Sequence, residues 1–425
     1  MRCLWLTWID PTPAHDGQRI YSGRLIEAFA AAGAELEVLC GAHRHSARRD
    51  GDVEGRVTWR LAGARRNAAW QSVLSDLPHV VHRSATREMR ARFKSLLRRE
   101  PWDCVVLDGL YAGWALALLQ AAAVVGRARP RLVYVAHNHE TTMRADLAAN
   151  MPGRGLARLY LKSDARKVAG LEREIVAAAD LVTAITSADA AKFAAERPGR
   201  PTIVLTPGYA EGRVAARRID ETIPRRAAIV GSFEWIAKQA NLEAFLAVAD
   251  PLFAAAGAEL IVVGNGRPEF LRALARKTAA TRFVGEVSRV EPYLGNARLA
   301  ILPERLGGGF KLKILTYVFN RVPIATLESC LAGTPLAPGD SVLAYGDYGS
   351  LARGAVAALD DLTLLDAVQT RAYAACDREF DWASRGERLR ASIAALAAAA
   401  SEPELPDLPD LPGLGEGALP ALAAP

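Results

Sequence analysis

Cysteine and long apolar runs are scarce in this sequence. The five cysteines are scattered and odd in number, and no C-x-x-C or Cys/His cluster is present, so a metal site or a disulfide framework is not expected. No apolar run reaches about 18 residues, the length that predicts a transmembrane helix. The apolar start, residues 1–8, is broken by Asp10 and Pro11 before the core of a signal peptide would end. We therefore interpret it as a first β-strand and expect a reduced, cytoplasmic protein.

Few aromatic residues are interleaved with the basic residues of the sequence. The formal net charge is +6, yet no nucleic-acid-binding motif is present, so nucleic acid is not an expected partner. The most basic stretch, residues 83–99, predicts a helix with Met89, Phe93 and Leu96 on one face and arginines around them. Such a helix either rests on an anionic membrane or is an ordinary surface helix. The sequence leaves both readings open.

The length of 425 residues predicts two or three domains. Short apolar runs alternate with helical patterns in two series, which is typical of two parallel sheets. We place a first α/β domain at 1–206, an irregular, charged linker at 207–224 and a second α/β domain at 225–380. A terminal helix follows at 381–399, and a tail rich in Pro, Leu and Ala at 400–425 is expected to be disordered.

Residues 303–326 form the stretch most typical of a ligand site. They follow an apolar run, 299–302, and begin with the glycines 307–309 before a helical pattern. Glycines let the backbone approach a ligand, and the first turn of a helix offers unpaired N–H groups to an anion. Lys311 and Lys313 lie at this helix start, where the helix dipole disfavours cations, so they indicate a bound negative group. A solvated glycine-rich turn is the alternative.

Two loops in the first half follow predicted strands, and we expect both at the carboxyl edge of the sheet, where such folds bind ligands. The first contains Gly17, which either permits close approach of a substrate or makes a turn. The second contains His137 and His139. Their spacing is poor for metal chelation, so we interpret one of them as a hydrogen-bonding or acid/base group, with a structural histidine as the alternative.

In their order and spacing, six segments of the chain resemble the GT-B glycosyltransferases, and specifically the large retaining family 4 (glycosyl transferases group 1). They are the Gly17 loop, 136–140, the helix with Glu172 and Glu174 that leads to 179–187, 230–238, 283–287 and 307–326. The resemblance spans roughly residues 1–398. It implies two Rossmann-like domains facing each other across a cleft, with the acceptor on the first, a nucleotide-sugar on the second, and the terminal helix packing back toward the first.

The resemblance also implies roles for individual residues. The predicted catalytic residues are His137, Lys238 and Lys311. The predicted substrate-binding residues are Gly17, His139, Glu286, Val287, Gly308, Gly309, Phe310, Lys313 and Thr316. Lys238 would contact the diphosphate, Glu286 and Val287 would lie beside the base, and His137 would lie near the transferred sugar. No metal or other cofactor is expected, since lysines, amides and a helix N-terminus can stabilise a departing nucleoside diphosphate.

The chain departs from the family pattern within this motif. The family has two glutamates separated by seven residues, and their positions here hold Gly308 and Thr316, with Glu304 out of register. Thr316 would then hold the ribose hydroxyls. We expect a metal-independent retaining transferase with a glycan, lipid-linked or small-molecule acceptor. A non-catalytic nucleotide-sugar-binding subunit and a nucleotide-sugar epimerase are the alternatives. Contact with the inner face of the cell membrane through residues 83–99 is a further expectation.

Overall fold

A computed structural model describes residues 1–14, 16–63, 65–99, 101–123, 129–150 and 155–399. The chain forms two predominantly parallel sheets, one in each half, with helices on both faces. This confirms the predicted α/β fold with two Rossmann-like domains. The predicted disordered tail, 400–425, lies outside the described residues. No helix within the described ranges is long and apolar enough to cross a membrane.

The first sheet has the strand order β3-β4-β2-β1-β5-β6-β7-β8. Its strands are β1 Arg2–Ile9, β2 Glu35–Gly41, β3 Val53–Glu54, β4 Val57–Ala62, β5 Cys104–Asp108, β6 Arg131–Ala136, β7 Leu181–Ala184 and β8 Thr202–Val204. All neighbours are parallel except β3, which pairs antiparallel with β4. Strand order reverses between β1 and β5, which opens a crevice at their carboxyl ends.

The helices of the first half cover both faces of this sheet. They are α1 Gly17–Ala31, α2 His79–Ser84, α3 Arg87–Arg99, α4 Leu116–Ala123, α5 Glu140–Asn150, α6 Leu156–Ala178 and α7 Ser187–Glu196. Local capping explains where two of them begin. The Asp16 carboxylate accepts the Arg19 N–H at 3.0 Å, and the Thr186 hydroxyl accepts the Asp189 N–H at 3.1 Å.

The second sheet has the strand order β11-β10-β9-β12-β13-β14, and every pair is parallel. Its strands are β9 Arg226–Val230, β10 Glu259–Val263, β11 Thr281–Gly285, β12 Leu299–Leu302, β13 Ile324–Leu327 and β14 Leu343–Tyr345. The order reverses between β9 and β12. Residues 303–312 leave the carboxyl end of β12, so the fold itself places the glycine-rich motif at the second crevice.

The remaining helices complete the second half. They are α8 Ile236–Ala255, α9 Pro268–Ala275, α10 Glu291–Gly295, α11 Lys313–Phe319, α12 Tyr348–Ala358, α13 Leu362–Cys376 and α14 Trp382–Ala399.

The last helix, α14, packs on α1 of the first half. Trp382, Leu389 and Ile393 are buried in the hydrophobic core that lies under α1. Arg385 donates from Nε to the Thr206 carbonyl at 2.9 Å, which ties the helix to the start of the connecting segment. The two halves are therefore joined both by the chain after β8 and by α14.

Candidate active site

Three lysines from the second half gather around one carboxylate at the carboxyl end of β12. Glu304 Oε1 lies 2.7 Å from Lys313 Nζ and 3.9 Å from Lys238 Nζ, and Glu304 Oε2 lies 3.5 Å from Lys311 Nζ. Glu304 and Lys311 are both buried. The structure thus brings together the three predicted lysines, which lie as far as 75 positions apart (313 minus 238) in the sequence.

The carboxylate of Glu304 supplies a negative charge that offsets part of the positive charge of these lysines. Burial alone would raise the pKa of Glu304, but the charges of Lys313, Lys311 and Lys238 hold it far below its ordinary value. The bound negative group inferred from two lysines at a helix start stays a prediction. Glu304, which sequence reasoning set aside as out of register, supplies one negative charge to the lysines from the protein itself.

The cluster keeps an excess of positive charge after this pairing. Three ammonium groups face one carboxylate, which leaves two positive charges toward the crevice. Lys238 lies in the first turn of α8, and the charge of Lys313 together with burial lowers its pKa to about 8. Such a site attracts a further dianion, because an added negative charge relieves the repulsion between the lysines.

The loop that carries the glycines is fixed from both sides. Asn241 donates from Nδ2 to the Leu306 carbonyl at 2.9 Å and accepts the Leu306 N–H at 2.8 Å. Lys311 Nζ donates to the carbonyls of Gly307 at 2.8 Å and Gly308 at 3.0 Å. The loop is therefore held in shape before any ligand arrives, which is the condition for electrostatic stabilisation without reorganisation.

His137 lies at the carboxyl end of β6 in the first half and is oriented by a buried aspartate. Its Nε2 is 2.6 Å from Asp108 Oδ1, and Asp108 Oδ2 accepts the indole N–H of Trp5 at 3.0 Å. Burial would raise the pKa of Asp108, but the His137 ring and the two donors that face the carboxylate hold it below its ordinary value. Among the described residues the other ring nitrogen, Nδ1, has no hydrogen-bond partner. The arrangement is that of a histidine positioned by a carboxylate.

The glycines of the two halves face each other across the crevice. A Cβ on Gly309 would lie 2.3 Å from Asn138 Oδ1 and 3.5 Å from the His137 carbonyl oxygen. A Cβ on Gly17 would lie 3.2 Å from Leu312 Cδ1. These close approaches put the glycine loop of the second half directly against the His137 loop of the first. The predicted residues Gly17, His137 and Gly309 therefore line one cleft.

Two other predicted residues are engaged away from this cleft. His139 is buried, with Nδ1 2.7 Å from Thr142 Oγ1 and Nε2 2.9 Å from Glu196 Oε1, so both ring nitrogens are already in use. This favours the structural alternative for His139, and a substrate contact stays a prediction. Phe310 packs against the cores of both halves and lies 5.7 Å from Phe380 between ring centroids. Its ring fills the junction between the halves.

The remaining predicted residues lie along the same edge of the second sheet. Glu286 and Val287 directly follow β11, the edge strand, with Glu286 exposed and Val287 half-buried. Thr316 is half-buried in α11, and its carbonyl accepts the side-chain amide of Asn320 at 2.8 Å. The contacts of Glu286 and Val287 with the nucleotide base, and of Thr316 with the ribose, stay predictions.

Sequence reasoning missed four residues that shape the site. They are Glu304, Asp108, Asn241 and, as a site residue, Glu172. Buried Glu172 accepts the backbone N–H groups of Glu140 at 3.0 Å and Thr141 at 2.7 Å, which fixes the start of α5 just after His137. Of these four residues, only Glu172 could have been recognised in the sequence, because it is an acidic residue inside an otherwise ordinary helical pattern. Across the described ranges, no group of three or more His, Cys, Asp or Glu side chains could hold a metal ion.

Two family models match the chain, one in each half. The model described as Glycosyltransferase Family 4 matches residues 15–209, and the model described as Glycosyl transferases group 1 matches residues 224–361. The two matches together include Gly17, His137, Lys238 and the whole glycine motif. No curated protein sequence matches the chain.

Solved structures with the same two-domain fold resemble the chain over nearly its whole length. Sucrose-phosphate synthase from Thermosynechococcus elongatus has a TM-score of 0.68 at 16% identity, covering 94% of this chain and 100% of that one. WaaG, a glycosyltransferase involved in lipopolysaccharide biosynthesis, has a TM-score of 0.63 at 19% identity, covering 92% and 99%. Anabaena HepE in complex with UDP and glucose has a TM-score of 0.60 at 13% identity, covering 93% and 100%. At these identities the likeness establishes the GT-B fold.

Proposed function

The chain belongs to the family 4 glycosyltransferases, and from that membership we propose that it transfers a sugar from a nucleotide-sugar donor with retention of configuration and without a metal ion. The acceptor is a glycan, a lipid-linked sugar or a small molecule. The observation that carries the proposal is the cluster of Lys238, Lys311 and Lys313 around Glu304, directly across the cleft from His137. The epimerase and the non-catalytic subunit are not favoured, because the family models and the neighbours named above are glycosyltransferases.

The lysine cluster matches what the departure of a nucleoside diphosphate demands. The bond between the anomeric carbon and the diphosphate oxygen breaks, and its electron pair stays on the phosphate. The acceptor oxygen forms the new bond on the same face, and its proton passes to the leaving phosphate. Lys238, Lys311 and Lys313 stabilise the charge that grows on that phosphate. A paired-carboxylate mechanism of the glycosidase kind is not needed.

The histidine across the cleft has a positioning and hydrogen-bonding role in this scheme. Asp108 fixes the orientation of His137, so that the second ring nitrogen can face the transferred sugar. The glycine at 309 lets the donor loop come within contact of this histidine's own loop. Sugar, diphosphate and acceptor are thereby held together, which removes much of the entropic barrier to reaction.

A ligand panel followed by a transfer assay tests the proposal. Nucleoside diphosphates and nucleotide sugars are screened by thermal shift, since a ligand of the native state raises its melting point. Transfer from the isotopically labelled donor is then measured for the wild type, Lys238→Ala and Lys311→Ala. We expect losses of about 100-fold or more in transfer. Lys277→Ala is the matched control, because Lys277 is exposed and pairs only with surface Glu243 in the part of the chain described. Donor binding without hydrolysis or transfer would support the binding-subunit alternative.

We also propose a cytoplasmic protein that touches an anionic membrane. Contact through residues 83–99 stays a prediction, and the exposed apolar side chains of the same half offer a second surface. Several arginines of α3 are engaged within the first half: Arg92 lies 2.7 Å from Asp50, Arg99 pairs with Glu37, and Arg90 lies over Trp114. Exposed apolar side chains cluster elsewhere in this half. They are Trp70 (67% exposed), Val73 (61%), Leu74 (84%) and Leu159 (63%).

This apolar patch has the composition of a membrane-contacting surface. A contact of 3.3 Å between Ser72 Oγ and Tyr160 OH holds the 69–74 turn against α6, and Arg158, Lys162 and Arg166 are exposed on the same helix. Co-sedimentation with phosphatidylserine-containing vesicles at low salt tests it. Val73→Ser should weaken binding, whereas Val53→Ser, which changes a similarly exposed valine on β3, should not. Absence of co-sedimentation by the wild type would refute membrane contact.

A further inference from the structure

An aromatic and arginine-rich surface lies beside His137 on the first half. Trp8, at the end of β1, stacks on Tyr111 with ring centroids 4.8 Å apart and planes 9° apart. The guanidinium of Arg66 lies 4.4 Å from the Trp8 ring centroid. A Cβ on Gly109 would touch both Tyr111 Cδ2, at 3.4 Å, and His137 Cδ2, at 3.3 Å. The stacked rings therefore adjoin the predicted reaction centre from the acceptor side.

Two more arginines lie beside Arg66. The Asn67 N–H donates to the Arg83 carbonyl at 3.3 Å, which places Arg83 beside the segment that carries Arg66. Burial, followed by the charges of Arg83 and Arg19, lowers the pKa of Arg66. The Nε atoms of Arg19 and Arg83 are buried without a hydrogen-bond partner among the described residues. Arg19 Nε does lie 3.4 Å from Asp16 Oδ2, and its Nη1 donates to the Pro13 carbonyl at 3.5 Å.

Carboxylates on neighbouring elements do not neutralise Arg66 or Arg83. Asp10 pairs with Arg48 at 2.8 Å, and Glu88 pairs with Arg92 at 3.3 Å. Within the described part of the chain, neither Arg66 nor Arg83 has a carboxylate within 4.0 Å. Like charges held together without a counter-charge destabilise the empty protein, and an oxyanion would satisfy both guanidinium groups.

The backbone around these arginines is fixed rather than loose. Asn67 donates from Nδ2 to the His82 carbonyl at 2.8 Å, and its N–H donates to the Arg83 carbonyl at 3.3 Å. Ser84 Oγ donates to the Tyr111 carbonyl at 2.7 Å. The segment with Arg66, the end of α2 with Arg83, and the Tyr111 platform thus form one connected framework. Such a framework holds Arg66 and Arg83 in place before a ligand arrives.

We propose that this surface binds the acceptor, and that the acceptor is a sugar bearing an oxyanion, a phosphate or a carboxylate, which Arg66, Arg83 and Arg19 recognise while its ring lies beside the stacked pair of Trp8 and Tyr111. The inference rests on the proposed transferase function, because it assigns these residues to the acceptor. The donor diphosphate has its own lysines on the other half, so the arginines are not needed for it. A bidentate guanidinium contact suits phosphate and carboxylate equally.

The test compares charged and neutral sugars as ligands of the full chain saturated with its nucleoside diphosphate. Glucose 6-phosphate, mannose 6-phosphate, glucuronate and galacturonate are titrated against glucose, mannose and galactose at low salt. We expect at least one charged sugar to bind tenfold or more tightly than its neutral parent. The comparison of the sugar phosphates with the uronates shows whether the recognised oxyanion is a phosphate or a carboxylate.

Substitutions of single arginines test where the charged sugar binds. Arg66→Gln and Arg83→Gln should each weaken the charged sugar tenfold or more and leave the neutral sugar and the nucleoside diphosphate unchanged, which also shows that the variants fold. Arg65→Gln, which removes an adjacent exposed arginine, is the control for net charge. Equal binding of all charged and neutral sugars, or an equal loss in Arg65→Gln, would overturn the inference. Failure of every nucleoside diphosphate to bind would instead count against the proposed function.

Discussion

Glu304 Oε1 lies 2.7 Å from Lys313 Nζ inside a cluster whose other members, Lys311 and Lys238, come from the motif loop and from α8. This pairing lets three lysines approach one another in the empty protein. It also leaves them close enough to a common point that a diphosphate could contact more than one.

We predict that Glu304→Gln destabilises the protein by about 3 kcal/mol, because it removes the one carboxylate that pairs with the three clustered ammonium groups among the described residues. Inorganic pyrophosphate should raise the melting point of the variant more than that of the wild type, since it replaces the lost charge. Urea unfolding and thermal shift measure both effects. A variant as stable as the wild type would contradict the assigned role of Glu304.

The same carboxylate should make stability depend on acid pH. The pKa of Glu304 is far lower in the folded chain than its ordinary value of 4.5, so its contribution to stability is complete above pH 4.5 and is lost as pH falls below that value. The stability difference between the wild type and Glu304→Gln should be constant from about pH 5 to 7 and should shrink below pH 4.5, by at most about 1.4 kcal/mol per pH unit. A difference that stays constant down to pH 3 would argue against this prediction.

Affinity for the nucleoside diphosphate should fall as pH rises through about 8. Lys313, burial and Lys311 lower the pKa of Lys238 to about 8, against the opposing charges of Glu304 and Asp16, so the empty site loses this proton first. Binding above pH 8 must then take up a proton, and affinity should fall by up to about tenfold per pH unit. The ligand's own phosphates are fully ionised there. Titration calorimetry from pH 7 to 9.5 measures the slope, and Lys238→Arg should flatten it because arginine stays protonated.

Asp108→Asn should lower the transfer rate about 100-fold with little change in donor affinity, because Asp108 orients His137 at 2.6 Å and does not contact the lysine cluster. Glu196→Gln is the matched control. It removes the carboxylate that faces His139 at 2.9 Å and should cost stability but not rate. Comparable losses of transfer rate in the two variants would mean that His137 and His139 both affect the rate only by stabilising the fold.

Gly309→Ala should impair donor binding beyond its effect on stability. Gly309 has φ of +74° and would place a Cβ 2.3 Å from Asn138 Oδ1, whereas Gly339 has φ of +77° and nothing within 4 Å of its Cβ position. Both substitutions should cost about 1–2 kcal/mol of backbone strain. Only Gly309→Ala should also weaken nucleotide-sugar binding, as measured by titration. Unchanged affinity would show that the close approach across the cleft is not needed for donor binding.

Much of the architecture could be predicted from local sequence patterns. The apolar run 299–302 is β12, and the terminal helix predicted at 381–399 is α14, Trp382–Ala399. These elements are long or strongly apolar, so periodicity identifies them. β14 could not be found this way, because three residues carry too little pattern.

The candidate site was only partly predictable. Gly17, His137, Gly309 and the three lysines follow strands or begin helices, and the carboxyl-edge rule brings such positions together. His139 differs from His137 only by its surroundings, since Thr142 and Glu196 happen to fold onto its two nitrogens.

The sequence by itself determined the two α/β series, their crevices and the basic, glycine-rich motif, since apolar periodicity and glycine placement are local properties. The tertiary structure decided which charged side chains lie in contact. Asp108 reaches His137 across 29 positions because β5 and β6 lie side by side in the first sheet. Glu304 meets Lys238 across 66 positions (304 minus 238) because β9 and β12, which are not consecutive in the chain, are neighbours in the second sheet. Coulomb energy falls with distance in space and not along the chain, so the pKa values and the net charge of the cleft follow only from the folded arrangement.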